Sequence, residues 1–190
     1  MGTNDSETDL GITLLEPAQS RDEHLVVRLT SLINRVYETA ESGLWHDSAA
    51  RTTKSELAAL IEERQIAVAT REGEIVGSVQ IHDVSTDISE FGMLVADPDH
   101  RDTGVGRALV DYAEGRSRER GLRAIQLELL VPRTWRHPSK EFLKEWYGRR
   151  GYRLVGTTTI EHTHPHLAPL LATPCDLTIY EKPLQATDVG

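Results

Sequence analysis

The chain has 190 residues and a net charge of −9, and area scaling puts about 70 % of its unfolded surface inside on folding, enough for one full core. Hydrophobic residues at 38 % and charged residues at 27 % fit a globular chain, and no apolar run approaches the roughly 18 residues that a membrane crossing needs. A lone cysteine, Cys175, excludes a disulfide framework and every multi-cysteine zinc pattern, and the acidic excess disfavours nucleic acid, whose phosphates demand Lys and Arg.

Met1 to Glu7 is polar and acidic, without the basic and apolar regions of a signal peptide. Met1 to Ser6 formally fits a myristoylation pattern, but so short a pattern arises readily in a polar tail. A cytoplasmic protein with no membrane partner is expected, with tails at 1–8 and 185–190 and one domain over 9–184. Leu25, Leu29, Leu32, Ile33 and Val36 recur at helical spacing after Asp22-Glu23, which predicts an amphipathic helix over 22–39 that ends near Gly43. A second helix opens at Thr53, whose hydroxyl caps while Glu56 reaches back. The period then changes to two: 66–70 and 75–81 alternate around the turn Arg71-Glu72-Gly73-Glu74 and predict a hairpin, with a further strand over 90–96. From Gly104 the apolar set Val105, Ala108, Leu109, Tyr112 and Ala113 predicts a helix closing at Gly121, before a strand over 125–131. Strand, helix and strand within about 40 residues form a crossover, so the two strands should be parallel neighbours. A helix over 140–149 and strands over 152–160 and 176–182, joined by a His- and Pro-rich stretch, complete an α/β order.

Charge is unevenly spread. Residues 101–153 hold 13 of the 21 basic groups against 7 acidic ones, a balance of +6 that leaves −15 for the rest. Within this segment Arg101-Asp102-Thr103-Gly104-Val105-Gly106-Arg107 stands between a strand and a helix. Its glycines let the backbone turn tightly, and the first-turn amides are unpaired at the positive end of the helix dipole, which makes a phosphate cradle. Arg101 and Arg107 add charged donors. A dinucleotide fingerprint would need glycine where Leu109 stands, and a P-loop would need Gly-Lys-Ser/Thr; neither fits.

The loop resembles the Arg/Gln-x-x-Gly-x-Gly/Ala loop of the GNAT superfamily of acyl-CoA N-acyltransferases. Glu90-Phe91-Gly92-Met93-Leu94-Val95-Ala96-Asp97-Pro98 is similar to the strand those enzymes place before it, and Trp146-Tyr147-Gly148-Arg149-Arg150-Gly151-Tyr152 to their Tyr-x-x-x-Gly-Phe/Tyr helix end. The resemblance covers at least 65–160. It implies a GNAT fold, a mixed central β-sheet flanked by helices with splayed parallel strands around the crossover. It also implies acetyl-CoA as acyl donor, no metal and a possible homodimer, and the acidic excess on the first two helices, their connection and the loop between the last two strands, where family acceptors enter, favours a small, cationic amine as acceptor. Main-chain groups of Met93, Leu94 and Val95 would bind the pantetheine arm, one amide polarising the thioester carbonyl, while Arg101 to Arg107 take the pyrophosphate.

Transfer to an amine requires removal of an ammonium proton. Glu90 stands where many family members carry a carboxylate, and alternation places it on one face with Gly92 and Leu94; it is a candidate base, or else a strand-end carboxylate in solvent or paired with arginine. Tyr147 matches the tyrosine that protonates the departing thiolate, its other reading being a helix tyrosine packed on Trp146. Lys140 stands where the family often has asparagine, and either reaches a phosphate or the acceptor or is a solvated lysine at a helix start. Trp45 and His46 are candidates for the acceptor pocket or for surface packing. His162, His164 and His166 alternate, yet Pro165 breaks the strand that would align them on a metal; one of them, His164, is a candidate pocket residue and second base. Acetylation of a peptide or protein amine, and a noncatalytic acyl-CoA sensor, are the competing functions.

Overall fold

Alternation and helical spacing resolve into seven strands and five α-helices among the described residues of the computed structural model, which are 10–46, 50–100 and 102–184. In order they are β1 (Gly11–Leu14), α1 (Glu23–Ala40), α2 (Lys54–Glu62), β2 (Ile66–Arg71), β3 (Glu74–Asp83), β4 (Ile88–Ala96), α3 (Val105–Glu119), β5 (Ala124–Pro132), α4 (Pro138–Arg149), β6 (Arg153–Thr159), the single-turn α5 (Ile160–Thr163) and β7 (Cys175–Pro183). The expected tails, the Met1–Ser6 pattern and Arg101 lie outside the described residues. Among those described, no helix is long and apolar enough to cross a membrane.

The helix starts are fixed by short side chains. Asp22 accepts from the Leu25 amide at 3.1 Å; Thr53 Oγ1 accepts from Glu56 N at 3.2 Å while the Glu56 carboxylate accepts from Thr53 N at 2.8 Å. Each such cap stabilises its helix by about 1 kcal/mol. The strands form one sheet in the order β1-β2-β3-β4-β5-β7-β6, antiparallel throughout except for β4 and β5. That parallel pair is the one joined by α3, as the crossover requires. The edge strand β1 is absent from the sequence expectation, because four residues are too few for alternation to register. The stretch expected as a plain connection between the last two strands begins with α5 and carries a short 3₁₀ turn at Ala168–Leu170.

Apolar residues on one sheet face pack with α3 and α4, including Leu109, Val110, Ala113, Tyr147 and Tyr152 against Phe91, Ile125, Leu127 and Leu129. On the other face α1 and α2 cover β2 and β4 through Leu29, Ile33, Leu57, Ile61, Val68, Met93 and Val95. A smaller cluster, Leu44, Leu130, Ile160, Cys175 and Leu177, closes that same face over β5 and β7. Gly77 sets how closely α3 approaches. A Cβ there would lie 2.7 Å from both Val105 Cγ1 and the Val95 carbonyl oxygen, so only glycine lets the start of α3 rest on β3.

Candidate active site

The parallel β4–β5 ladder is short. It runs only through Ile88↔Ala124, Ser89↔Ile125 and Glu90↔Gln126, beside a buried Ser89–Ser117 hydroxyl contact of 2.6 Å. Beyond Glu90 the two strands separate, β4 staying with β3 and β5 with β7. The β4 edge from Phe91 onward therefore has no strand on its β5 side. The register with β3 also slips here: Gln80 pairs with Gly92 but Ser78 with Val95, so Met93 and Leu94 together oppose Val79. Met93 has φ +43°, a conformation that a non-glycine residue holds only when its surroundings enforce it. This bulge corrects the expected alternation. Phe91 faces α3 whereas Met93 and Val95 face α1, and Leu94 packs on the α3 side; Glu90 therefore does not share a face with Leu94.

The glycine loop ends β4 and begins α3. Gly104 is the helix N-cap at φ +82°, and the first helical bond runs from Ala108 N to the Gly104 carbonyl at 2.9 Å, so the amides of Val105, Gly106 and Arg107 have no acceptor within the helix. Thr103 Oγ1 donates to the His100 carbonyl at 2.6 Å and braces the loop. A Cβ added at Gly106 or Gly104 would meet nothing within 4 Å, so the surface of the loop beside these glycines is open. Asp102, Thr103 and Arg107 are exposed beside it, and Val105 is buried under it. Arg71, at the end of β2, directs Nη2 to the Thr103 carbonyl at 3.4 Å, bringing to the loop a cation from distant sequence.

A cavity of about 350 Å³ occupies the gap between the separated strands. It is reached from both sheet faces. Glu90, Glu128 and His164 line it together with Phe91, Leu127, Leu143 and Tyr147, and the last four belong to or pack on the α3/α4 core. Gln126 Nε2 donates to Glu90 at 2.7 Å. Burial nevertheless pushes the Glu90 carboxyl up to about 7, aided by the Glu128 charge and opposed by the Gln126 hydrogen bond and by His164. His82 Nε2 lies 3.8 Å from Glu90, and burial holds this imidazole below its usual range, which favours its neutral form beside the acid. His164 Nε2 lies 3.4 Å from Glu128. Tyr147 is buried between Phe91 and Tyr152, with ring centroids at 5.9 and 5.6 Å. Burial raises its phenol further above its usual value, and no hydrogen bond engages its hydroxyl among the described residues.

Lys140 is not the solvated helix-start lysine of the second sequence reading. It is 3 % exposed, so it is not solvated, and its ammonium meets Glu41 Oε1 at 2.5 Å in the wall of the cavity that also holds Tyr147, instead of being free for a phosphate. Burial alone would raise the Glu41 carboxyl, but Lys140 and Arg51 hold it below the usual range. Trp45 Nε1 donates to Glu41 at 2.6 Å, and Trp45 lines this cavity and an outer one of about 530 Å³, which His46 also lines. The alternating histidines are not on a strand: His162 lies within α5, and of the three only His164 lines the cavity. Among the described residues no group of three or more His, Cys, Asp or Glu is arranged to hold a metal ion.

Sequence reasoning missed Glu41, Arg51, Arg71, Gln126 and Glu128. A signal existed for the last two. Ile125, Leu127 and Leu129 are the core positions of β5, so Gln126 and Glu128 put polar groups on the second face of a central strand, which would otherwise be apolar.

The sequence matches the profile of the acetyltransferase (GNAT) family over residues 28–148. No curated protein matches by sequence. Similar solved structures include the ribosomal-protein-S18-alanine N-acetyltransferase of Escherichia coli, at TM-score 0.62 and 16 % identity over 96 % of this chain and 99 % of that one. The PaiA N-acetyltransferase of Thermoplasma acidophilum, in complex with coenzyme A, gives 0.66 and 15 % over 92 % and 99 %. The N-acetylglutamate synthase of Neisseria gonorrhoeae gives 0.60 and 18 % over 94 % of this chain and 36 % of that one. At these identities the likeness is one of fold.

Proposed function

The chain belongs to the GNAT acetyltransferase family, and on that premise we propose that it transfers the acetyl group of acetyl-CoA directly to the primary amine of a small acceptor. The observation that carries this reading is the cavity between β4 and β5, which gives a carboxylate on one sheet face and a phenol on the other access to one space. A module that only sensed acyl-CoA would need the cradle and not this pairing.

Acetyl-CoA, when bound, supplies an electrophilic thioester and a thiol leaving group. The amides of Val105, Gly106 and Arg107 are suited to its diphosphate, with Arg71 and Arg107 as neighbouring cations. The unpaired β4 edge offers main-chain donors and acceptors to the pantetheine arm, and the bulge at Met93 and Leu94 turns one amide of Met93 to Val95 out of ladder register, toward the oxygen on which charge develops. Glu90 takes the proton of the acceptor ammonium, directly or through a water; with its carboxyl near 7 it is ionised often enough at neutral pH to act and basic enough to be useful. The freed nitrogen bonds to the acyl carbon. As the carbon–sulfur bond breaks, Tyr147 gives its proton to the sulfur, the nitrogen, cationic since its attack, releases its second proton through water to restore the phenol, and no acyl-enzyme is needed; the proton held by Glu90 leaves to solvent. The two carboxylates at the inner end, Glu90 and Glu128, favour a cationic amine.

Thiol release from acetyl-CoA across an amine panel tests the proposal. Amine-dependent release that Glu90→Gln lowers at least a hundredfold is expected. Tight coenzyme A binding without turnover on any amine or peptide would instead make the protein a sensor.

A further inference from the structure

Tyr37, Glu41, Trp45, Arg51 and Leu167 line both the inner and the outer cavity, so the two share a wall and together form the acceptor's approach. Glu38 lines only the outer cavity. Glu90 and Glu128 line only the inner cavity, whereas Arg51 stands at the junction. Glu41, also at the junction, is engaged by Lys140 and Trp45. Arg51 makes no salt bridge within contact distance among the described residues, although its charge reaches Glu41; it is exposed, and its guanidinium lies 4.9 Å above the Tyr37 ring. It is also held in place. The next residue, Thr52, is 4 % exposed and exchanges two hydrogen bonds with Asn34 of α1, at 2.9 and 3.0 Å, which fixes the backbone that carries Arg51. A planar cation stacked on an aromatic ring, next to backbone fixed at Thr52, is oriented for a carboxylate before one binds.

We propose that the acceptor is a small amino-carboxylate, its ammonium directed to Glu90 and Glu128 and its carboxylate bound by Arg51. This rests on the acetyl-transfer reading and narrows its acceptor. A simple alkylamine satisfies the inner carboxylates and leaves the guanidinium with the Tyr37 ring and no carboxylate at salt-bridge distance, and a large amine lacking an acid fills the same space with the same deficit. Spacing between the two charges then becomes the specificity ruler.

The test is thiol release from acetyl-CoA with two matched series: amino acids from glycine to 6-aminohexanoate, amine and acid at opposite ends, and n-alkylamines of the same carbon counts. At the best chain length, kcat/KM for the amino acid should exceed that for the alkylamine by at least thirtyfold. Arg51→Gln should reduce this preference to under threefold, chiefly through KM, and Arg51→Lys should retain part of it; calorimetric acetyl-CoA binding by each variant controls for folding. Equal rates for the two series in the native protein, a preference that survives Arg51→Gln, or faster acetylation of a peptide amino terminus without a nearby carboxylate would overturn the inference while leaving acetyl transfer intact. No release with any amine would overturn acetyl transfer as well.

Discussion

Glu90 carries opposite demands from folding and from catalysis. Its carboxyl sits at about 7 in the fold against a usual 4.5, so ionising it costs the folded state up to roughly 3 kcal/mol. The sign follows from the direction: the cost is absent below about 4.5, grows as pH rises, and is complete above about 7. Glu90→Gln keeps an acceptor for the Gln126 amide and removes the charge, so thermal unfolding of this variant should match the native protein at pH 4.5 and exceed it at pH 8. The same substitution should abolish an acidic limb near pH 7 in kcat/KM, since only the carboxylate form accepts a proton. Tyr147→Phe separates differently. Because no hydrogen bond engages the hydroxyl among the described residues and the ring makes the core contacts, the variant should keep its melting temperature and acetyl-CoA affinity while kcat falls at least tenfold; unchanged turnover would remove the acid role. Glu90 and Tyr147 were legible because each sits inside a spaced motif. Arg51 and Glu41 were not, since isolated charges acquire meaning only when distant segments meet.

The elements around the cradle distinguish conformation from contact. Gly104 holds φ +82°, where a β-branched residue costs about 1–2 kcal/mol or more, so Gly104→Val should lower both stability and acetyl-CoA binding. Gly106 faces open space in ordinary helical backbone. Gly106→Val should therefore leave thermal unfolding nearly unchanged and weaken acetyl-CoA binding at least tenfold by calorimetry, because the new side chain crowds the open loop surface beside the unpaired first-turn amides. If Gly106→Val bound as tightly as the native protein, the cradle would not hold the diphosphate. Loop, helix caps and crossover were legible in sequence because each is a local code: Gly104 at a turn, Thr53 and Glu56 at three-residue spacing, apolar residues at period 3.6. The bulge at Met93 and Leu94 was not. It leaves the letters of β4 looking like plain alternation, and its cause is register against β3, where Gly77 brings α3 down onto the sheet. The separation of β4 from β5 came only through family resemblance, since no residue pattern marks where a parallel ladder stops.

At the scale of the whole molecule, the acid on α4 and the acceptor wall on the α1 side come from opposite sheet faces, and their relative position is set by contacts that cross the strand gap. Chief among them is Lys140 with Glu41, side chains 4 % and 7 % exposed and 99 positions apart in sequence, supported by His137 Nε2 at 3.1 Å from the Ser42 carbonyl and by Trp45 on the same carboxylate. A buried pair of this kind contributes little net stability, because both ions lose their hydration, but removing one partner strands a charge at about 3–5 kcal/mol. Lys140→Met should therefore be strongly destabilising, and Glu41→Gln with Lys140→Met should recover most of the loss. If the pair served stability alone, the double variant would regain activity along with its melting temperature. If it positions α4 against the acceptor wall, stability returns while kcat/KM for the amine stays low and acetyl-CoA affinity is unaffected. The second outcome is expected, since only an ion pair fixes the direction as well as the distance between the two helices, and a double-mutant cycle read in both unfolding and turnover distinguishes it from the first.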